Sequence, residues 1–129
     1  VLTVGMPAAR PVEDAMAAAS GPGLLRGVGE TPRLQDLIGL LDQADLLVAN
    51  DTGPMHLAAA LGTPVLALFG ATDPGVSGPR GPGPCRILME PAPCSPCFLR
   101  TCTVPGHPCL EQIDVANVHE AARALLSGS

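Results

Sequence analysis

Asp45-Leu46-Leu47-Val48-Ala49, Asn50-Asp51-Thr52-Gly53-Pro54-Met55-His56-Leu57-Ala58-Ala59-Ala60 and Gly62-Thr63-Pro64-Val65-Leu66-Ala67-Leu68-Phe69 are the stretch that decides the fold. An apolar run leads into a polar, Gly-containing turn, the turn opens a short Ala/Leu helix, and Gly62-Thr63-Pro64 stops it before a second apolar run. Strand, turn, helix and strand in so few residues make a parallel βαβ unit. Pro54 suits the first helical position, where its missing N–H had no partner to lose. The first amides of the helix then point at the turn and create a site for an anion. Asp51, Thr52 and His56 stand around it. A carboxylate there is unfavourable for a phosphate unless it has another task, such as holding a sugar hydroxyl or orienting His56. Residue types alone fit equally well an Asx-type turn with an N-cap at Thr52 and a partly buried His56 bonded to a local carbonyl.

Outward from this unit the alternation continues. Val1–Val4 reads as a buried strand, Pro11–Ala19 as a helix, Leu24–Val28 as a short strand and Leu34–Gln43 as a helix. Beyond Phe69, Gly75–Pro84 reads as an irregular Gly/Pro-rich connection, Arg86–Met89 as a strand and Glu90–Pro108 as a Cys/Pro-rich loop. Val115–Leu126 reads as a final helix with Val115, Val118, Ala122, Leu125 and Leu126 on one face. Strands alternating with helices predict an α/β fold with a parallel, Rossmann-like sheet. Such sheets bind ligands beyond the carboxyl ends of their strands, where Asp51-Thr52-Gly53 and Gly70-Ala71-Thr72-Asp73 both lie.

Composition sets the limits. At 129 residues the chain is one domain at most. Apolar residues make up 47%, but only Phe69 and Phe98 are aromatic, so the core is aliphatic. All seven basic residues are Arg, the net charge is −5 and no basic cluster occurs, which excludes nucleic acid as a partner. No apolar run approaches the roughly 20 residues of a membrane span. Val1–Val4 is too short, and lacks the basic flank, for a signal peptide. The chain opens in an apolar strand without Met and is expected to be an excised domain, incomplete at its N-terminus.

Of the five cysteines, Cys85 stands apart and reads as a small core residue. Cys94, Cys97, Cys102 and Cys109, with His107 among them, leave three readings open: reduced thiols packed in a loop, a structural metal (zinc or an iron–sulfur cluster), or a disulfide. No base with recognisable spacing makes any of them a nucleophile.

The segment Asp45–Pro74 resembles the nucleotide-sugar half of the heptosyltransferases of lipopolysaccharide core synthesis, inverting glycosyltransferases of family 9. The residues that carry the likeness are Asp51, Thr52, Gly53, His56, Leu57, Ala59 and Ala60, then Gly70, Thr72, Asp73 and Pro74. Pro93–Leu110 is similar to the Cys-rich loop of that pathway's second heptosyltransferase. The resemblance implies that residues 1–129 are the C-terminal, donor-binding domain of a two-domain GT-B enzyme. That enzyme moves heptose from ADP-heptose to the lipopolysaccharide core acceptor. It implies donor or phosphate contacts at Asp51, Thr52, Gly53 and His56, with Thr72 and Asp73 beside the donor pocket. It also implies no required cofactor, a catalytic base in an N-terminal domain, a phosphate-contacting Lys upstream of Val1, and a cytoplasmic placement that allows peripheral contact with the inner face of the inner membrane. The chain alone is expected to be inactive. Two departures stand out: Gly78-Pro79-Arg80-Gly81 lacks the aromatic of many relatives, and Ala9 stands where many have a ribose-binding Glu, with Glu13 the nearest acidic residue. The alternatives are another GT-B sugar-nucleotide enzyme, with a different sugar or an epimerase activity, and a non-enzymatic metal or redox module built on the Cys loop.

Overall fold

The computed structural model describes residues 1–128, which divide into two compact units, Val1–Gly39 and a second from Leu40 onward. In the first unit a 3₁₀ turn, Pro7–Ala9, runs into helix α1, Arg10–Ser20. The expected flanking strands are reduced to two isolated parallel bridges, Leu2 to Leu25 and Gly5 to Val28. Val1 and Leu2 are exposed rather than buried, and it is Thr3 that points inward. Gly27 is where these segments come closest, since a Cβ there would collide with the Thr3 carbonyl.

Glu13 ties this unit together. Its buried carboxylate accepts from the Thr3 hydroxyl, from the Val28 N–H at 3.0 Å and from Arg26 Nε at 3.3 Å. Arg26 also pairs with Asp14 on the next position of α1. The Thr3 hydroxyl and then the Val28 amide lower the Glu13 pKa against the upward push of burial, with Arg26 assisting. Glu13 is therefore committed inside its own unit, and its role as a substitute for a ribose-binding Glu finds no support in the geometry. A depressed carboxylate contributes stability that is full above its unfolded pKa, about 4.5, and is lost as pH falls through the lower folded value. Glu13→Gln is expected to lower the melting temperature near neutral pH and to flatten its decline on acidification. Melting curves between about pH 3 and pH 7 check this; parallel curves for variant and wild type would refute the linkage.

Helix α2, Leu34–Asp42, carries the chain into the second unit. Here β1 (Leu47–Asn50), β2 (Val65–Phe69) and β3 (Cys85–Met89) form a parallel sheet in the order β1-β2-β3. The central strand has Val65, Leu66, Ala67 and Phe69 fully buried, as expected for a strand covered on both faces. Between β1 and β2 runs α3, Gly53–Leu61, which buries Met55, Ala58 and Ala59 completely. Gly62 ends it at φ 89°, a left-handed conformation that costs glycine nothing, and its N–H caps the Ala58 and Ala59 carbonyls. The Thr63 hydroxyl then reaches back to the Leu41 carbonyl at 2.8 Å.

Three expectations are corrected here. The stretch 75–84 is not wholly irregular: Pro74–Ser77 form a short helix, α4, N-capped by Asp73, whose carboxylate accepts from Gly75 N–H at 2.8 Å. Cys85 is exposed, because β3 is an edge strand and its first residues face solvent. The 90–108 loop, as expected, carries no long element; it leads into a short helix, α5 (Pro108–Glu111), and Phe98 is exposed. The last helix, α6 (Val115–Ser127), turns Val118, Ala121, Ala122 and Leu125 inward, while Val115 and Leu126 remain exposed.

Candidate functional site

The site lies at the carboxyl edge of β1 and β2, where parallel register brings both strand ends to the same side. Asn50 lies opposite Leu68. The turns that follow, Asp51-Thr52 and Gly70–Asp73, therefore emerge side by side.

Thr52 occupies the N-cap position of α3 in extended backbone, but its side chain does not cap the helix. Its hydroxyl donates to the Asn50 carbonyl at 3.2 Å instead. Pro54 has no N–H, and the Met55 N–H returns to the Thr52 carbonyl at 3.1 Å. The anion site is thus narrower than a full first turn: of the first helical amides, that of Gly53 remains for a ligand, on an exposed surface. A Cβ at Gly53 would meet nothing within 4 Å, so it would project into open space beside the turn.

Asp51 is the organising group. Its Oδ1 lies 3.6 Å from His56 Nε2, and its Oδ2 accepts from the Ser77 hydroxyl at 2.6 Å. Thr72 lies near enough to the same carboxylate to help lower its pKa. Burial pushes the Asp51 pKa up; the hydrogen bond from Ser77, the nearby Thr72 and the charge of His56 outweigh it and hold the carboxyl below its ordinary value. An ionised carboxylate with one oxygen secured and the other turned to an exposed imidazole is an orienting device. It sets a carboxylate oxygen beside His56 and leaves the ring half exposed to solvent.

The expected site residues therefore fall into groups. Asp51, Thr52, Gly53 and His56 are gathered at one turn, and Thr72 lies beside them. Asp73 turns its carboxylate away, to the α4 cap. Ser77 was not among the expected residues; the Asp-Pro pair before it is a helix-start signal that locates α4.

The Cys loop supports this edge from behind. The Ser95 hydroxyl donates to the Gly70 carbonyl, the Phe98 N–H to the Ala71 carbonyl at 2.7 Å, and buried Cys109 packs where a Cβ on Gly70 would stand. All five cysteines are free. Burial raises the Cys109 pKa, and the neighbouring Cys94, Cys102 and Cys97 push it further. Yet among the described residues no three Cys, His, Asp or Glu side chains are grouped so as to hold a metal ion. The structural-metal reading of Cys94, Cys97, Cys102 and Cys109 finds no support among the described residues. Changing Cys94 and Cys97 together to Ser in the full-length protein is expected to lower the melting temperature while turnover stays within about threefold. Unchanged melting with abolished turnover is the contrary result.

The model of glycosyltransferase family 9 (heptosyltransferase) matches residues 4–107. The chain belongs to this family. Among the relatives of this family-9 chain, lipooligosaccharide heptosyltransferase 2 of Campylobacter jejuni is 33% identical over 85 residues, which cover 66% of the chain and 27% of that protein. Lipopolysaccharide heptosyltransferase 1 of Pseudomonas aeruginosa is 42% identical over 81 residues, 61% of the chain and 22% of that protein. The solved structure of ADP-heptose lipopolysaccharide heptosyltransferase II from Escherichia coli superposes with a TM-score of 0.79 at 27% identity, covering 99% of the chain and 36% of that protein. The chain thus spans about a quarter of the length of these curated relatives. Among the described residues no helix is long and apolar enough to cross a membrane.

Proposed function

We propose that this chain is the donor-binding part of a GT-B glycosyltransferase that moves heptose from ADP-heptose to the inner core of lipopolysaccharide, with inversion. The observation that carries the reading is the exposed α3 N-terminus, with His56 held beside Asp51, in a chain that matches family 9. The names of its relatives supply the sugar and the acceptor.

The chemistry follows from where charge develops. As the bond between the anomeric carbon and the diphosphate breaks, negative charge grows on the departing ADP. In this reading the Gly53 amide, the positive end of α3 and the His56 ring stabilise it, and they need no reorganisation at the moment of reaction. The acceptor hydroxyl forms the new bond from the opposite face, and its proton passes to a base. That base is assigned to an N-terminal domain outside this chain. No cofactor or metal enters this step. The enzyme would act in the cytoplasm, at the inner face of the inner membrane. Incubating the full-length protein with ADP-heptose and a heptose-deficient core acceptor tests the reading. The expected result is one ADP released per heptose transferred; transfer of a different sugar, or no transfer with a verified acceptor, would overturn it.

A further inference from the structure

We infer that Ser77 is a positioning residue for this reaction, acting through Asp51 on His56. The inference rests on the reading just given. It starts from a contact across 26 positions of sequence: the Ser77 hydroxyl at the end of α4 donates to Asp51 Oδ2 at 2.6 Å, on the turn after β1. The other carboxylate oxygen is the one that faces His56 Nε2 at 3.6 Å. A carboxylate can rotate about its Cβ–Cγ bond, and an aspartate partnered only by an exposed imidazole would sample several orientations. The hydroxyl of Ser77 removes that freedom on one side. One carboxylate oxygen is thereby held by Ser77, and the other is left toward His56.

α4 is itself anchored for this purpose. Asp73 caps its start through the Gly75 N–H, and the Ser77 N–H bonds to the Asp73 carbonyl at 3.0 Å. The groups facing Asp51 are therefore the His56 ring from α3, the Ser77 hydroxyl from α4 and the Thr72 hydroxyl from the turn after β2. Asp73, the nearest acidic residue in sequence to those hydroxyls, directs its carboxylate to the cap instead. Removing the Ser77 hydroxyl takes away one donor that favours the ionised carboxylate, so Asp51 titrates at higher pH and aims less well.

The test uses the full-length enzyme with Ser77→Ala and Ser77→Thr. Ser77→Ala is expected to lower kcat about tenfold, as loss of a hydrogen bond to a charged group does, with KM changed less than about twofold. It is also expected to shift the acid limb of the kcat–pH profile upward. Ser77→Thr, which restores a hydroxyl, is expected to recover both. A second readout is independent of heptose transfer: the carboxyl resonance of Asp51, followed by NMR in aspartate-labelled protein, should titrate at higher pH in Ser77→Ala and return in Ser77→Thr. An unmoved Asp51 titration overturns the inference, as does a moved titration with wild-type kcat and pH profile, or a Thr variant as impaired as Ala. If the full-length protein transfers no heptose, the proposed function and this kinetic role fall together, whereas the titration still shows whether Ser77 governs Asp51.

Discussion

Replacing His56 with Ala, or Gly53 with Val, in the full-length glycosyltransferase is expected to lower kcat by at least about 100-fold while leaving the melting temperature within a few degrees of wild type. The two variants remove the same stabilisation by different routes. His56→Ala deletes the ring proposed to meet the diphosphate and leaves the Asp51 Oδ1 without its neighbour. Gly53→Val keeps every polar group but places a branched side chain in the open space beside the α3 amides. Neither position is part of the core: both are exposed, and the buried face of α3 is formed by Met55, Ala58 and Ala59. Activity and stability should therefore separate. Because charge on the leaving group develops chiefly in the transition state, the loss is expected in kcat more than in KM. Near-wild-type rates in both variants, with the proteins folded, would mean that the diphosphate is held elsewhere.

Gly81→Ala is expected to destabilise the protein by about 2–3 kcal/mol, the cost of forcing an extra methyl into packed structure that cannot yield. Gly81 lies against α3, and a Cβ built on it runs into the Ala59 carbonyl, with the Ala60 nitrogen 3.0 Å away. These are backbone atoms of a helix whose other face is fully buried, so the neighbour has no rotamer to change. Gly83 makes the same kind of approach to the Gly62 carbonyl. The Gly/Pro-rich connection between α4 and β3 is thus a close-packed strap over the end of α3, and its glycines are required by contact. Gly39→Ala is the matching control. It lies inside α2 with nothing within 4 Å of its Cβ, and there Ala is expected to stabilise by roughly 0.5–1 kcal/mol through helix propensity. Chemical denaturation of the three proteins measures both. Equal stabilities for Gly81→Ala and wild type would show that the strap can move away.

Much of the fold is local and was legible. β2 spans Val65–Phe69 as read, because a continuous apolar run between Pro64 and Gly70 has no other stable state than a strand buried on both faces. α3 is bounded by Pro54 at its start and Gly62 in left-handed conformation at its end, both signals carried by single residues. The period of α6 was also readable, but not its phase. Val118, Ala121, Ala122 and Leu125 turn inward while Val115 and Leu126 do not, and nothing in a run of small and apolar residues says which flank will meet the sheet. Cys85 failed for a related reason: a cysteine is core or surface according to whether its strand is central or at the edge, and strand order is not written locally.

The candidate site divides along the same line. Asp51, Thr52, Gly53 and His56 are neighbours in sequence, and the geometry of a helix start is enough to bring them to one anion-binding turn. What the sequence by itself determined was this turn, its helix and the two strands on either side, since each depends on interactions within a few residues. Only the tertiary structure decided what Asp51 does there. Parallel pairing of β1 with β2 sets their carboxyl ends side by side, so the turn after one strand meets the turn and short helix after the other. The Ser77 hydroxyl then takes one oxygen of a carboxylate 26 positions away along the chain and leaves the other toward His56. Sequence proximity gathered the residues of the turn, and strand register brought the hydroxyl that holds its carboxylate.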